Sequence, residues 1–258
     1  MPKISVVIIT YNRAPYICAA IDSVVCQTNS DWELLIIDDA STDNTKLLID
    51  SYINRDSRIK YIKNLNNIGI SASRNKALHA TSGKYVAILD SDDIWADEEK
   101  LQKQCNFLEN NVEYVVVGGA VIVLNERGAV IFHYKNPITD MAIRKIILLR
   151  NPFINSSVMF VREVAIKCGG YEDYVVGEDY DLFLKMGQLG KMYNLNDFLV
   201  RYRKHDAGIT WSKRVRAAQD HLDIINKFKQ AYPNYFFALI KGYVRLFLAK
   251  FLFCSDHC

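Results

Sequence analysis

The sequence predicts an α/β protein with a mainly parallel central sheet and helices on both faces. The first observation is that apolar, β-branched runs alternate with stretches of helical periodicity between residues 4 and 89. The second is that these runs are nearly continuous, as expected for parallel strands that are buried on both faces. The third is that polar residues follow the runs, at the edge where ligands of such sheets bind.

The elements of the first half follow the order of a parallel sheet. The predicted strands are Ile4–Thr10, Trp32–Ile37, Ile59–Ile62 and Tyr85–Leu89. Predicted helices begin in a first turn at Pro15, at about Thr45 and at about Ser71, where apolar residues recur at helical spacing. Strand and helix therefore alternate from the start of the chain.

The second half is predicted to be antiparallel in character. A helix over 98–110 precedes a long strand, Tyr114–Leu124, which Gly118-Gly119 interrupts, and a turn at 125–128 leads into a strand over 129–134. A helix at about 140–149 and a strand at 156–161 follow, and Gly177 precedes a helix that runs to about Leu189. We expect a small antiparallel portion beside the parallel sheet.

Composition sets limits on the protein class. With 258 residues and 50% hydrophobic content the chain can bury a large core, and a net charge of +3 does not suggest a nucleic-acid partner. The six cysteines have no spacing typical of a zinc site, which favours a reduced, cytosolic compartment. The sequence shows neither a signal-peptide pattern nor an uninterrupted run of about 18 apolar residues.

Three carboxylates, Asp90, Asp92 and Asp93, follow the fourth predicted strand. Such a cluster is unfavourable near neutral pH unless a cation shares it, and oxygen ligands suit Mn²⁺ or Mg²⁺. No glycine-rich phosphate loop occurs in the sequence, so a metal here is the predicted means of handling a diphosphate. The alternative is a solvated strand-to-helix turn in which Asp93 is a cap.

With these residues in view, the sequence resembles the family 2 inverting glycosyltransferases, whose nucleotide-sugar-binding fold is called GT-A. The resemblance covers roughly residues 3–210 and rests on the order and spacing of five motifs. They are SVVIITYNR at 5–13, DDASTD at 38–43, NIGISASRN at 67–75, LDSDD at 89–93 and GED at 177–179. One departure is Ala40, where many relatives have glycine; the difference matters little if its φ is negative.

The resemblance implies a set of residues that bind the nucleotide, and these are Thr10, Tyr11, Asn12, Asp39, Arg74 and Asp92. Thr10 and Tyr11 would flank the uracil, and Asp39 would accept a hydrogen bond from the uracil N3–H, a donor that suits a carboxylate. Arg74 would lie near the nucleotide. The alternatives left open are a helix cap for Asp39 and a solvated helix face for Arg74.

The resemblance also implies the chemistry. Asp179 would be the catalytic base that takes the proton of the attacking hydroxyl, and its neighbour Glu178 would orient the acceptor. The alternative for Glu178 is a surface glutamate in the first turn of a helix. Asp93 would ligate the metal, Asp92 would contact the metal or the ribose, and His205 would lie near the metal unless it is a structural histidine.

The expected function is metal-dependent, inverting transfer of a hexose or N-acetylhexosamine from a UDP-sugar to a sugar acceptor. That acceptor is expected to be linked to a lipid diphosphate, in the biosynthesis of a bacterial O-antigen or capsule. The alternatives are a non-catalytic nucleotide-sugar-binding module and an Asp-x-Asp phosphatase, whose motif belongs on the first strand. We expect a GT-A domain over 1–212, with a nucleotide-sugar half at 1–111 and an acceptor half at 112–212.

Residues 213–258 are predicted as a basic, amphipathic, helical extension. Residues 213–250 carry a net charge of +6 and many aromatic side chains, which favours the anionic cytoplasmic face of a membrane as a partner. On a helix Lys241 and Arg245 share a face while Lys250 lies opposite, so the amphipathicity is imperfect. The alternative is a helix packed on the domain or on a second copy in a homodimer.

Overall fold

The computed structural model describes residues 2–204 and 213–251. Its strands are β1 Ile4–Thr10, β2 Trp32–Asp38, β3 Ile59–Lys63, β4 Tyr85–Ile88, β5 Ile94–Trp95, β6 Tyr114–Leu124, β7 Val130–Tyr134, β8 Met159–Val161 and β9 Lys191–Arg203. Its helices are α1 Ile17–Val25, α2 Thr45–Ile53, α3 Ile70–Ala80, α4 Lys100–Asn110, α5 Asp140–Ile146, α6 Arg162–Lys167, α7 Glu178–Gly187, α8 Arg214–Lys227 and α9 Tyr235–Phe251.

The described strands form one nine-stranded sheet in the order β3-β2-β1-β4-β8-β6-β9-β5, with β7 paired to β6. The strands β3, β2, β1 and β4 are parallel to their neighbours, and β9 is parallel to β6. Antiparallel pairs join β8 to β4 and β6, β7 to β6, and β5 to β9. The predicted mainly parallel sheet with a smaller antiparallel portion is confirmed.

Alternate residues of the parallel strands supply two separate cores. Val6 and Ile8 of β1 face one apolar cluster, whereas Val7 faces another, as the two-residue period of a strand requires. This explains why the predicted strands are continuously apolar. The register pairs Thr10 with Asp38 and Val7 with Ile88, so the ends of β1, β2 and β4 lie at one edge of the sheet.

The largest difference from the sequence prediction is β9, a 13-residue strand that the sequence analysis did not predict. Its buried and exposed residues do not alternate regularly, because it borders β6 through a register shift between Gly118 and Ala120. Gly118 and Gly119 were expected to interrupt β6, but they allow β9 to approach it. A Cβ atom on Gly119 would lie 2.4 Å from Leu199 Cδ1.

Four shorter features also differ from the prediction. The segment predicted as a strand from Ser156 begins with a 3-10 turn at Asn155–Ser157, and the strand proper is only β8. The short elements β5 and α6 were not predicted. Pro15 lies in a turn, and α1 begins two residues after it.

The first C-terminal helix, α8, packs against α7 rather than extending away from it. Ile224, Ile225 and Phe228 belong to the same buried cluster as the apolar side chains of α7. The second helix, α9, lies against α8, where a Cβ atom on Gly242 would meet Leu222 Cδ2 at 2.5 Å. No helix within the described residues combines the length and apolarity that spanning a bilayer requires.

Candidate active site

Asp90 stands directly beyond β4 and is held on three sides. Its Oδ1 accepts hydrogen bonds from Arg74 Nη2 and from Asn155 Nδ2, each at 2.9 Å. Its backbone N–H donates to Ser156 Oγ at 3.1 Å. The 3-10 turn is fixed from behind, where Trp95 Nε1 donates to the Ser156 carbonyl at 2.9 Å. Asp90 therefore connects the strand end to this turn and to α3.

Asp93 differs from its two neighbours because it is only 1% exposed. Its carboxylate accepts hydrogen bonds from Ser156 Oγ and from the Arg203 N–H, the latter at 2.8 Å. Burial, together with the negative charges of Asp92 and Asp90, raises the pKa of Asp93 well above its usual range. A buried carboxylate whose two oxygens both have protein donors is poorly placed for the predicted metal coordination.

Asp92 and Asp90 are the accessible members of the cluster, with side chains that are 21% and 34% exposed. Arg13 Nε lies 3.6 Å from Asp92 Oδ2, and Arg203 Nε donates to the Asp92 carbonyl at 3.3 Å. Two cationic side chains therefore flank Asp92. Positive charge beside an accessible carboxylate suits the binding of an anionic ligand together with a metal.

Arg74 lies in α3 and is only 6% exposed, so a solvated helix face is wrong for this residue. Its guanidinium donates to Glu178 and to Asp90, and the guanidinium carbon lies 5.7 Å from the centre of the Tyr171 ring. Burial lowers the pKa of Arg74, but the negative charges of Glu178 and Asp90 outweigh this effect. The pKa of Arg74 is therefore raised above its usual value. The arginine is thus a permanently charged link between the β4 end and the start of α7.

Glu178 and Asp179 begin α7, directly after Gly177, whose φ of +96° places it in the left-handed region. Glu178 is buried against Arg74, so the surface alternative is wrong for it. Burial raises the pKa of Glu178 to about 7, opposed by the Arg74 charge and reinforced by Asp179. A carboxylate that titrates near neutral pH is suited to proton transfer.

Asp179 is half-buried and more accessible than Glu178. Its Oδ1 accepts from the Tyr180 N–H at 2.7 Å, while its Oδ2 has only a long contact of 3.5 Å from Asn151 Nδ2. Burial raises the pKa of Asp179, against the lowering effect of Arg74. The carboxylate therefore has one loosely engaged oxygen and a raised proton affinity, as a general base requires.

The residues predicted to bind the uracil ring lie at the ends of β1 and β2. Tyr11 is exposed, and Thr10 is buried with a hydroxyl that has no hydrogen-bond partner among the described residues. Asn12 has a φ of +52° and accepts from the Thr42 N–H at 2.8 Å. Asn12 therefore joins the two loops, whereas Thr10 retains an unused polar group.

Asp39 is buried and fixes the loop ahead of α3. It accepts hydrogen bonds from Asn64 Nδ2 at 2.8 Å and from the N–H groups of Ile68 and Gly69, both at 2.9 Å. A carboxylate offers about four acceptor positions, so these bonds leave about one for a ligand. Asp39 therefore fixes the residues immediately before α3, rather than capping α2, the helix that follows its own strand.

Ala40, where many relatives have glycine, has a φ of +69°. In the sequence analysis the alanine was expected to matter little if φ were negative, but φ is positive. An L-residue in this region brings its Cβ close to the following carbonyl and costs about 1–2 kcal/mol. The loop after β2 therefore carries backbone strain that glycine would relieve.

Several site residues escaped the sequence analysis because their partners are far away in the chain. Asn155 and Ser156 contact the aspartate cluster, and Asp220 of α8 accepts from the N–H groups of Val175 and Val176, both at 3.1 Å. Arg203 also contacts this cluster, because its Nε donates to the Asp92 carbonyl at 3.3 Å. His205 lies outside the described residues.

The available carboxylates limit how a metal ion could be held at this edge of the sheet. Among residues 2–204 and 213–251, no three His, Cys, Asp or Glu side chains converge to hold an ion. Mn²⁺ and Mg²⁺ sites in enzymes that handle phosphates commonly use one or two carboxylates and complete their coordination with phosphate oxygens and water. Asp90 and Asp92 fit that pattern, and the ion would depend on a bound diphosphate.

The sequence is similar to that of a known family and of several known proteins. The sequence matches the family described as Glycosyl transferase family 2 over residues 5–170. It is 34% identical over 214 residues to an uncharacterized glycosyltransferase of Haemophilus influenzae, covering 79% of this chain and 66% of that protein. It is 42% identical over 113 residues to the UDP-Glc:alpha-D-GlcNAc-diphosphoundecaprenol beta-1,3-glucosyltransferase WfgD of Escherichia coli, covering 43% of this chain and 44% of that protein.

The fold has a solved counterpart. The crystal structure of S. aureus TarS, residues 1–349 in complex with UDP-GlcNAc, matches with a TM-score of 0.73 and 21% sequence identity. The match covers 95% of this chain and 72% of that one. At this identity the likeness establishes the architecture alone.

Proposed function

This chain belongs to glycosyl transferase family 2 and has the GT-A architecture predicted for it, and we propose that it is an inverting, metal-dependent glycosyltransferase. The proposed reaction transfers a hexose or N-acetylhexosamine from a UDP-sugar to a hydroxyl of a sugar acceptor. The observation that carries the proposal is that Arg74 links the aspartates beyond β4 to the carboxylate pair that opens α7.

The donor nucleotide is assigned to the edge formed by β1, β2 and β4. Tyr11 offers an exposed ring for stacking on uracil, and the unpartnered Thr10 hydroxyl lies next to it in the chain. Asp39 keeps about one acceptor position for the uracil N3–H. Arg13 and Arg203 beside Asp92 would offset the diphosphate charge. Asn12 supports these residues by holding the loop after β2.

We assign the metal to Asp92 with Asp90, and we retain His205 as a proposed neighbour of the ion. Asp93 is moved from the predicted ligand set to a positioning role, because it anchors the loop to Ser156 and Arg203. When bound, Mn²⁺ or Mg²⁺ would stabilise the negative charge that develops on the departing nucleoside diphosphate.

Asp179 is assigned as the base and Glu178 as a positioning residue. The acceptor hydroxyl must lose its proton as its oxygen attacks the anomeric carbon, and Asp179 has the looser carboxylate oxygen of the pair. Glu178 is committed to Arg74, which fixes the start of α7 relative to Asp90. Asp90 is likewise engaged, because its Oδ1 accepts hydrogen bonds from Arg74 and Asn155. This argues against Asp90 as the nucleophile of an Asp-x-Asp phosphatase.

We further propose a lipid-diphosphate-linked acceptor and a role in bacterial surface polysaccharide biosynthesis at the cytoplasmic face of the membrane. The E. coli relative is named for an acceptor sugar linked to diphosphoundecaprenol, and the similarity to it covers 43% of this chain. A non-catalytic nucleotide-sugar-binding module would keep the donor site without needing the Glu178–Asp179 pair.

The test is a screen of UDP-sugars against lipid-diphosphate-linked sugars, with Mn²⁺ and in parallel with EDTA. We expect acceptor-dependent release of UDP, loss of turnover in EDTA, and a product whose anomeric configuration by NMR is opposite to that of the donor. Retained configuration would overturn the inverting mechanism, and full turnover in EDTA would overturn the metal assignment. Donor binding without turnover across all acceptors would favour the binding module.

A further inference from the structure

Helix α9 presents a continuous apolar face that nothing within the described residues covers. Eight large apolar side chains of this helix are exposed. They are Phe236, Phe237, Ile240, Tyr243, Val244, Phe247, Leu248 and Phe251. We call this set the outer face of α9. So much exposed apolar surface on one element is unusual for a soluble protein and marks an interaction site.

The outer face is separated cleanly from the side of the helix that packs on the protein. The buried residues of α9 are the small Ala238, Gly242 and Ala249, which allow close contact with α8. At 100° per residue, the eight residues of the outer face fall within an arc of about 140° that points away from this contact. The large side chains of α9 therefore do not serve the fold of the protein.

Basic residues border the outer face on both sides. Lys241 lies about 20° beyond one edge of the apolar arc, with Arg245 about 40° further round, and Lys250 lies about 20° beyond the other edge. In the sequence analysis, the position of Lys250 opposite Lys241 and Arg245 indicated imperfect amphipathicity. A helix whose apolar face points outward, however, needs basic residues on both sides of that face. Lys241 also donates to the Leu149 carbonyl at 3.1 Å, so its stem lies close to the end of α5.

We propose that the outer face of α9 docks on an anionic lipid bilayer, with its aromatic side chains in the acyl boundary and its basic borders at the phosphates. This inference rests on the proposed function only for its setting, a membrane that carries the acceptor. Aromatic and apolar side chains between lysines and arginines are the pattern of a helix that lies in the membrane interface. Each cation adds attraction to an anionic surface.

A second copy of the chain fits this surface less well. In a two-fold symmetric contact the same patch meets itself, so the basic borders of both copies would be brought towards each other. Like charges at a contact are unfavourable, whereas lipid phosphates complement them. Charge therefore favours a membrane over a homodimer as the occupant.

Docking at α9 would act close to the acceptor side of the site. The buried Asp220 of α8 accepts hydrogen bonds from the N–H groups of Val175 and Val176, just ahead of Gly177 and Glu178. The helix pair is thus attached directly to the segment that leads into α7. A membrane-bound α9 would hold that segment near lipid-linked substrates.

The test compares Phe236→Ser/Phe247→Ser with Phe132→Ser in co-sedimentation with vesicles. Phe236, Phe247 and Phe132 are 67%, 58% and 49% exposed, and Phe132 lies on β7, so it is a matched control. We expect binding of the parent protein to vesicles with about 30% phosphatidylglycerol but not to pure phosphatidylcholine. The double variant should partition at least about tenfold less, and the control should be unchanged.

A charge reversal tests the basic borders separately. Lys250→Glu should weaken vesicle binding roughly tenfold, whereas Lys167→Glu on α6 alters net charge equally and should not. Unchanged binding of both α9 variants would overturn the proposal. The proposal would also be overturned if the parent protein does not bind vesicles and is a dimer by analytical ultracentrifugation, and if Phe236→Ser/Phe247→Ser converts that dimer to monomer. Activity on a water-soluble acceptor should survive in every α9 variant, which separates this proposal from the proposed reaction.

Discussion

The proposed donor side, beyond β4, and the proposed acceptor side, at the start of α7, each contain two adjacent acidic residues, one buried and one more accessible. Beyond β4, Asp93 is buried and hydrogen-bonded while Asp92 is accessible. At the start of α7, Glu178 is buried against Arg74 while Asp179 is half-buried. In each pair the buried carboxylate is held by protein donors, and the more accessible one is the residue to which we assign the chemistry.

The two buried anchors differ in the charge of their partners. Asp93 is held by a hydroxyl and a backbone N–H, and its pKa is raised well above the usual range. Glu178 is held by a guanidinium that is itself buried. Neutralising Asp93 therefore removes little, whereas disturbing the Glu178 anchor leaves an uncompensated charge in the interior.

The division between anchor and chemical group is tested most strongly at Asp179. Asp179→Asn keeps the shape of the side chain but removes the base, so transfer should fall by about 10²–10⁴-fold or more. Donor affinity, measured by calorimetry with Mn²⁺ present, should change little because the base contacts the acceptor. Near-normal turnover would shift the base to Glu178, and a collapse of donor affinity would show that Asp179 binds the donor.

Arg74 tests whether the two sides depend on one link. Arg74→Met removes the cation between Glu178 and Asp90, and breaking such a buried pair costs about 3–5 kcal/mol. Urea unfolding should show this loss, and Arg74→Lys should recover only part of it because an ammonium lacks the fork of the guanidinium. A variant as stable as the parent would mean that the link does not hold the two sides together.

The roles of Asp92 and Asp93 can be distinguished by the Mn²⁺ requirement of variants at each position. Asp92→Asn should lower activity at least about tenfold and raise the Mn²⁺ concentration needed for half-maximal turnover. Asp93→Asn, which is isosteric with a buried carboxyl group, should leave that concentration unchanged. A shift in Mn²⁺ requirement for Asp93→Asn alone would restore Asp93 to the ligand set that the sequence predicts.

The pH dependence of stability tests the buried carboxylate of the acceptor side, Glu178, without any substrate. The pKa of Glu178 rises from 4.5 to about 7 on folding, so the folded state binds more protons than the unfolded state between these values. Stability should therefore fall as pH rises through this window. Glu178→Gln removes one of the titrating groups and should flatten the fall, measured as the urea midpoint at several pH values. An unchanged slope would show that Glu178 is ionised throughout.

The sequence predicted the donor side better than the acceptor side. The bounds of β1 agree with prediction, and the alignment of Thr10 with Asp38 follows from parallel strands that each end in polar residues. These features depend on local periodicity and on a general rule of sheet topology. Residues at strand ends can therefore be found without knowing their partners.

The acceptor side depends on contacts that no local pattern encodes. Arg74 and Glu178 are 104 residues apart, and Asp220 and Val175, which share a hydrogen bond ahead of α7, are 45 apart. A buried arginine or aspartate is rare enough that the surface alternative was reasonable until its partner was known. β9 was missed for a related reason, since its burial is set by neighbours in the sheet and not by alternation.

The last and smallest expected effect concerns one backbone position on each side. Gly177, ahead of the acceptor-side pair, has a φ of +96°, and a Cβ there would lie 3.2 Å from Ile224 Cδ1. Ala40, on the donor side, adopts a φ of +69°. Gly177→Ala should destabilise by about 1–2 kcal/mol. Ala40→Gly should stabilise by about 0.5 kcal/mol, because the relief of strain exceeds the added entropy of the unfolded chain.

The control for Ala40→Gly is Ala72→Gly on the exposed surface of α3, where the same replacement should lose about 1 kcal/mol. Urea unfolding of the three variants would give changes of opposite sign for the two alanines if strain at Ala40 is real. A loss of stability at Ala40 equal to that at Ala72 would show that the donor-side loop accommodates alanine without strain. The two sides would then differ in their buried anchors alone.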